Sequence, residues 1–342
     1  KPTNAKTSLN RDRTLAGTDC HAEVADHFNV FHLRFRLLRA RRCPTGGICG
    51  LVVGMDAWTL VMVLVAAGFY TSSLLAVGTA LFKLGFLDLP ARQIAALNRI
   101  ALVSLWTAIT LALLQWPLQA GFLGGGTLDA ALDPMLLGIV FDSAQGNRTL
   151  LAVAGLLLLH ALLLRRRAWQ YLALPGGVLV LLAFVQVGHT QQEPRWLLGG
   201  LLLVHLATAS FWIGALIPLY RVAGNPAYEA QPTGLLTRFG RLATTAVALL
   251  LLAGVAMAWL LAGGLFPLFT TAYGQILLAK IALVTLLLGL AALNKLRLVP
   301  AYERGDMRAP GRLRRSILLE GLLVSGVFLL TALLTTTSSP GG

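Results

Sequence analysis

Eight runs of 15 to 25 predominantly apolar residues, separated by polar connectors, limit what this chain can become more than anything else in it. They are Ala57–Leu81, Ile100–Leu118, Leu150–Leu164, Tyr171–Val187, Leu197–Leu219, Leu242–Leu261, Tyr273–Leu293 and Ser316–Leu334. About 20 apolar residues in a helix cross the hydrocarbon of a bilayer. A backbone inside lipid must satisfy its own hydrogen bonds, so helices are the natural outcome. The third run is short for a crossing unless residues before Leu150 join it. Composition agrees: 56% of the chain is hydrophobic and 12% charged, against roughly a quarter charged in soluble domains. The expected fold is all-α, a polytopic membrane bundle of about eight transmembrane helices. Ser, Thr and Gly are scattered through the runs without a period that fixes helix partners.

The net charge of +14 would suit a nucleic-acid binder, but its distribution argues against one. After residue 54 the Lys and Arg sit mostly in alternate connectors. The first carries Lys83, Arg92 and Arg99, the third Arg165, Arg166 and Arg167, the fifth Arg221, Arg238 and Arg241. The seventh has seven basic residues between Lys295 and Arg315. The intervening connectors are poor in both. Basic connectors mark the cytoplasmic side of a membrane protein, so both ends of the 55–342 region are expected outside. Trp58, Trp116, Trp169, Tyr171, Trp196 and Tyr273 fall near run ends, where such rings sit at the headgroups.

Residues 1–54 differ from the rest. They are polar, hold nine basic residues that the alternation would put on the wrong side, and contain all three cysteines, Cys20, Cys43 and Cys49. No CxxC pair occurs, so neither a zinc nor a thioredoxin-like site is indicated. Phe28–Leu38 reads as a short basic amphipathic element. Cys20 with His21, His27 and His32 could be drawn as a metal cluster, but nothing fixes their geometry. The expected organisation is a basic arm over 1–54, read as a gene-start extension before Met55, then a transmembrane domain over 55–336 and a tail over 337–342.

The candidate chemistry lies in histidines within the runs. Ionisable residues inside membrane segments are functional candidates by default. His205 is expected about 14 Å from the outer face by the helical rise, with Thr208 and Trp212 on its own helix face. His189 ends the fourth run, and His160 in the third is expected roughly 15 Å deep by the same rise, level with His205. Three imidazoles from neighbouring helices could bind copper or zinc or pass protons; the alternative is that each only bonds a neighbouring helix. Lys280 could snorkel outward or pair within the bundle. Asn294 and Glu320 read as a helix end and an interfacial salt bridge to Arg314 or Arg315. Met62 and Met257 are soft candidate ligands for Cu(I), and Met135 with Asp129 and Asp133 a weaker one. No nucleotide loop, HExxH or GxSxG occurs, and the expectation is not an enzyme.

The stretches Val204–Leu216, Tyr273–Lys280, Ala291–Pro300 and Leu313–Glu320, in that order and spacing, resemble the copper resistance protein D family of bacterial inner-membrane proteins. The resemblance runs from Met55 to about Thr336. It implies copper as bound or transported ion, uptake toward the cytoplasm, and a periplasmic copper-binding partner of the CopC type. It also implies roles for His205 with Trp212, for His189, and for Lys280, Asn294 and Glu320. His160 is retained on physical grounds alone. Two other readings stay open: a membrane haem or electron-transfer protein, and a non-transporting copper sensor or assembly partner.

Overall fold

The structure, a computed structural model, describes residues 55–86, 89–188, 191–224, 232–261 and 265–337. The arm over 1–54, His189, and the tail beyond Thr337 lie outside the described residues. Eight helical segments are long and apolar enough to cross a membrane. We label them α1 (Ala57–Gly85), α2 (Ala91–Leu123), α3 (Ala144–Leu163), α4 (Arg167–Val185), α5 (Arg195–Ala223), α6 (Arg238–Leu261), α7 (Ala272–Glu303) and α8 (Ala309–Thr337). Short helices, Leu128–Ala131 and Pro134–Phe141, fill the link between α2 and α3, and Leu265–Thr270 precedes α7. Among the described residues there is no strand. The bundle is all-α, as its apolar runs require.

The third run was short because its helix starts earlier. Ser143 caps α3, accepting the Gln145 N–H at 3.1 Å, and the helix carries Arg148 inside before the apolar stretch begins. The last turn of α3, His160–Leu163, tightens to a 3-10 helix. A different irregularity interrupts α7. Asn294 does not end the helix; the chain passes through a π-turn at Asn294–Leu298 and resumes over Val299–Glu303. Single π-turns inside α-helices are often found at functional sites.

The hub is α1, which packs on α2, α5 and α8 and touches α3 and α4. Its apolar window is 56% buried, against 11% for α6 and 17% for α7. Its hydroxyls cause no difficulty in lipid, because Thr71, Ser73 and Thr79 donate to carbonyls one turn back. Among helix pairs, α6 packs on α5 and α7 on α8. These two outlying helices are tied to each other near the basic end, where Lys295 donates to Thr244 and the Val299–Glu303 turn meets α6.

Small residues do fix partners, through contacts that no period reveals. A Cβ on Gly78 of α1 would fall 1.9 Å from the Ser210 carbonyl oxygen of α5, and one on Gly214 would fall 2.1 Å from the Gly78 carbonyl carbon. The two backbones touch there. Gly155 of α3 and Gly176 of α4 make a second such crossing. Without a hydrophobic force between helices in lipid, close backbone approach of this kind holds a bundle together.

One end of the bundle collects the basic connectors. Not all of its charges face water: Lys83 is buried and donates to Asn98 at 2.7 Å and to the Leu162 carbonyl at 2.6 Å. That carbonyl lies in the 3-10 turn of α3. Lys83 therefore ties the ends of α1, α2 and α3 together.

Candidate functional site

A cavity of about 660 Å³ opens among α1, α5, α6, α7 and α8, with a few residues of α2, α3 and α4 in its lining, in the half of the bundle away from the basic connectors. Its lining is largely apolar, with a few polar groups at three levels. Near the mouth are Met62, Met257, Arg148 and Gly188. His205 and Lys280 come next, His205 about 15 Å along α5 from Arg195 and Lys280 about 12 Å along α7 from Ala272 by the helical rise. The indole of Trp212 lines the inner part, about 26 Å along α5.

His205 is held by α6. Its Nδ1 lies 3.0 Å from the Leu250 carbonyl, which can only accept, so Nδ1 carries the proton. Nε2 of the neutral ring is then a lone-pair donor. A hydrogen bond from one ring nitrogen that sets the other as ligand is the usual arrangement of a metal-binding histidine. Gly254, one turn beyond Leu250, leaves the space for the ring: a Cβ there would sit 3.1 Å from His205 Cε1. Lys280 lines the same cavity as His205, and its ammonium has no hydrogen-bonding partner among the described residues.

Behind the Trp212 indole lies a polar knot. Trp212 Nε1–H donates to Glu320 Oε2 at 3.2 Å, and Asn294 Nδ2 donates to Glu320 Oε1 at 2.5 Å. Glu320 is 4% exposed. The expected interfacial salt bridge to Arg314 or Arg315 is not made. Arg314 instead donates to the Tyr220 hydroxyl at 2.8 Å and lies over its ring. Facing donors on α5 and α7 place the carboxylate inward, and the π-turn at Asn294 puts its amide within reach. The knot fastens α5, α7 and α8 at one level.

Arg148 escaped the sequence reading, which placed it in a connector. It is 7% exposed, with its guanidinium 5.0 Å from the Phe69 ring centroid, 5.8 Å from Tyr70 and 6.0 Å from Phe184. Gln145 Oε1 accepts from it at a long 3.4 Å. Three aromatic faces converging on one guanidinium is a cation–π cage. Its signal in sequence is only an adjacent pair of aromatics in α1 and one in α4, which no spacing connects to Arg148.

The histidines do not all converge. His160 is absent from the cavity lining. Its ring caps α3, with Nδ1 3.0 Å from the Leu156 carbonyl, and packs edge-on against Trp106 of α2. It lies about 24 Å along α3 by the helical rise, one turn from the Arg165–Arg167 run, not level with His205 as expected. The longer α3 accounts for the difference. His189 falls outside the described residues, although its neighbour Gly188 borders the cavity. Among the described residues no three His, Cys, Asp or Glu side chains gather as a metal cluster. Met135 is exposed, and Asp133 caps the helix it starts, accepting from Met135 and Leu136 N–H.

Comparison with known proteins places these elements. The family described as "Copper resistance protein D" matches residues 233–334, and "Copper resistance protein D-like, N-terminal domain" matches residues 55–197. "Copper transport protein CutJ" of Bacillus subtilis (strain 168) is 27% identical over 287 residues, covering 79% of this chain and 51% of the relative. The chain thus spans about half the length of that relative. No solved structure matches it. The two family regions lie in order along the chain, on either side of most of α5, and take in most of the other helices that wall the cavity; the chain belongs to the copper resistance protein D family.

Proposed function

We propose that this protein moves copper across the bacterial inner membrane, taking it up from the periplasm. The observation that carries the reading is the His205 ring. Its Nδ1 is committed to the Leu250 carbonyl, which leaves Nε2 as a neutral donor on the wall of a cavity that also presents Met62 and Met257. Imidazole suits copper in general and thioether suits Cu(I). A metal ion in hydrocarbon is prohibitively costly unless ligands replace its water, and these are the soft or borderline ligands the cavity offers. The relative's printed name, a copper transport protein, supports the same cargo.

The basic connectors orient the path. With the Arg-rich end in the cytoplasm, the cavity faces the periplasm and the ends of the 55–342 region lie on that side. A periplasmic copper-binding protein of the CopC type would deliver the ion at the mouth, beside Gly188. The ion would pass Met62 and Met257 and reach His205. Below it, Trp212 and the Glu320 knot close the way. Release toward the cytoplasm then requires α5, α7 and α8 to part at that level, since those are the helices the knot joins.

Metal analysis of the purified wild-type chain and His205→Ala tests the reading, alongside cellular copper accumulation. The wild type is expected to retain copper and His205→Ala to lose most of it. Equal copper in the two would overturn the proposal. A sensor or assembly role would instead leave uptake unchanged by His205→Ala.

A further inference from the structure

The charge of the cavity does not suit a bare cation. Its described lining includes Lys280 and Arg148 and no carboxylate. Glu320 is not among the lining groups; it is engaged by Trp212 and Asn294. Arg148 has no acidic partner among the described residues; it meets aromatic faces, the Tyr70 hydroxyl and, by one long bond, Gln145. The ion pair Arg195–Glu193 is on the surface, away from the cavity. His205 contributes no negative charge, its Nδ1 proton being directed to Leu250. Copper entering alone would add a third positive charge to an apolar enclosure that already holds two. Like charges repel most strongly where water is excluded, and a buried charge needs a paired counter-charge.

Resting on the copper reading above, we propose that the cavity accepts copper as a complex with a soft anionic co-ligand, a halide or thiolate, and not as the bare cation. His205 Nε2 binds the metal, while the Lys280 ammonium pairs with the co-anion. Lys280 is suited to this by position: it shares the cavity lining with His205, and its donors are otherwise unused among the described residues. Arg148, nearer the mouth, adds a fixed positive charge that draws the anionic complex inward. The mostly apolar walls suit a complex whose own ligands have already displaced water. The cations that would repel a bare ion thereby become the recognition elements for a complexed one.

The test measures retention of cuprous ion by the full chain in detergent micelles, without oxygen, at constant ionic strength as perchlorate is replaced by chloride or bromide. Halide in solution competes for bare Cu(I), so a site for the bare ion loses copper as halide rises. The proposal expects the opposite: retention rising several-fold, with about one halide bound per copper. Lys280→Met is expected to abolish the halide dependence. Lys280→Arg, which preserves the charge, is expected to keep it and shows that the position tolerates substitution. Copper held as well in perchlorate as in halide, or lost as halide is added, would overturn the proposal while leaving His205 as a copper ligand. Failure to hold His205-dependent copper in either medium would overturn the copper reading itself.

Discussion

The indole N–H of Trp212 donates to the carboxylate of Glu320 across 3.2 Å, joining α5 to α8 through residues 108 positions apart in the chain. Asn294 completes the arrangement from α7. Since a buried acceptor left without a donor costs about 1–3 kcal/mol, this knot has a measurable weight.

Removing the carboxylate is expected to be worse than changing one donor. Glu320→Ala leaves both the Trp212 and Asn294 donors unpaired, and should cost more than Trp212→Phe, which strands one acceptor at about 1–3 kcal/mol. Glu320→Gln keeps an oxygen acceptor and should fall nearest the wild type. Thermal unfolding in micelles ranks the three; a Glu320→Ala variant as stable as Glu320→Gln would contradict the order.

Crowding His205 without touching it is expected to weaken copper binding. A Cβ at Gly254 would already stand 3.1 Å from His205 Cε1, so Gly254→Leu should displace the ring from Leu250. Copper retention should fall toward that of His205→Ala, with unfolding temperature read in parallel. Retention unchanged would show that the ring does not need this seat.

His160→Ala serves as the contrast. Its ring is turned onto Leu156 and Trp106, away from the cavity, so copper content is expected to match the wild type while stability drops modestly. Loss of copper equal to that of His205→Ala would place His160 in the path after all.

The α1–α5 crossing should tolerate no side chain. A Cβ on Gly78 meets backbone, the Ser210 carbonyl oxygen at 1.9 Å, and backbone cannot swing aside as a flexible side chain can. Gly78→Ala is expected to cost about 1–3 kcal/mol, the usual range for overpacking, and Gly78→Leu to prevent assembly. Yield of folded protein and unfolding temperature check both.

At the basic end, Lys83→Met should strand the Leu162 carbonyl and the Asn98 amide oxygen in a buried setting. A loss of about 1–3 kcal/mol is expected, with no change in copper retention because the residue lies outside the cavity lining.

What could be read in advance was what depends on local pattern. The eight apolar segments, their alternating orientation and the isolated polarity of His205 are each visible within a window of some 20 residues. Arg148 was not, because a window that looks for apolar runs ends at a charge, and only three distant aromatics make its burial tolerable. Glu320 was read as a surface partner of Arg314 and Arg315 because they are its neighbours in the chain; its true donors come from α5 and α7. Gly78 and Gly214 likewise mean nothing apart. Only the family resemblance singled out Trp212, Asn294 and Glu320 together, and it did so without indicating that they touch.

The outlying position of α6 and α7 has one further effect. Tied near the basic end by Lys295 and Thr244, each leans on a different neighbour, α5 or α8, and both line the cavity. Little of either helix is covered by the rest of the bundle, 11% of the apolar window of α6 and 17% of that of α7. On that side the binding chamber is therefore walled by two helices whose outer surfaces are left to the surrounding bilayer, and whose hold on each other is set at one end.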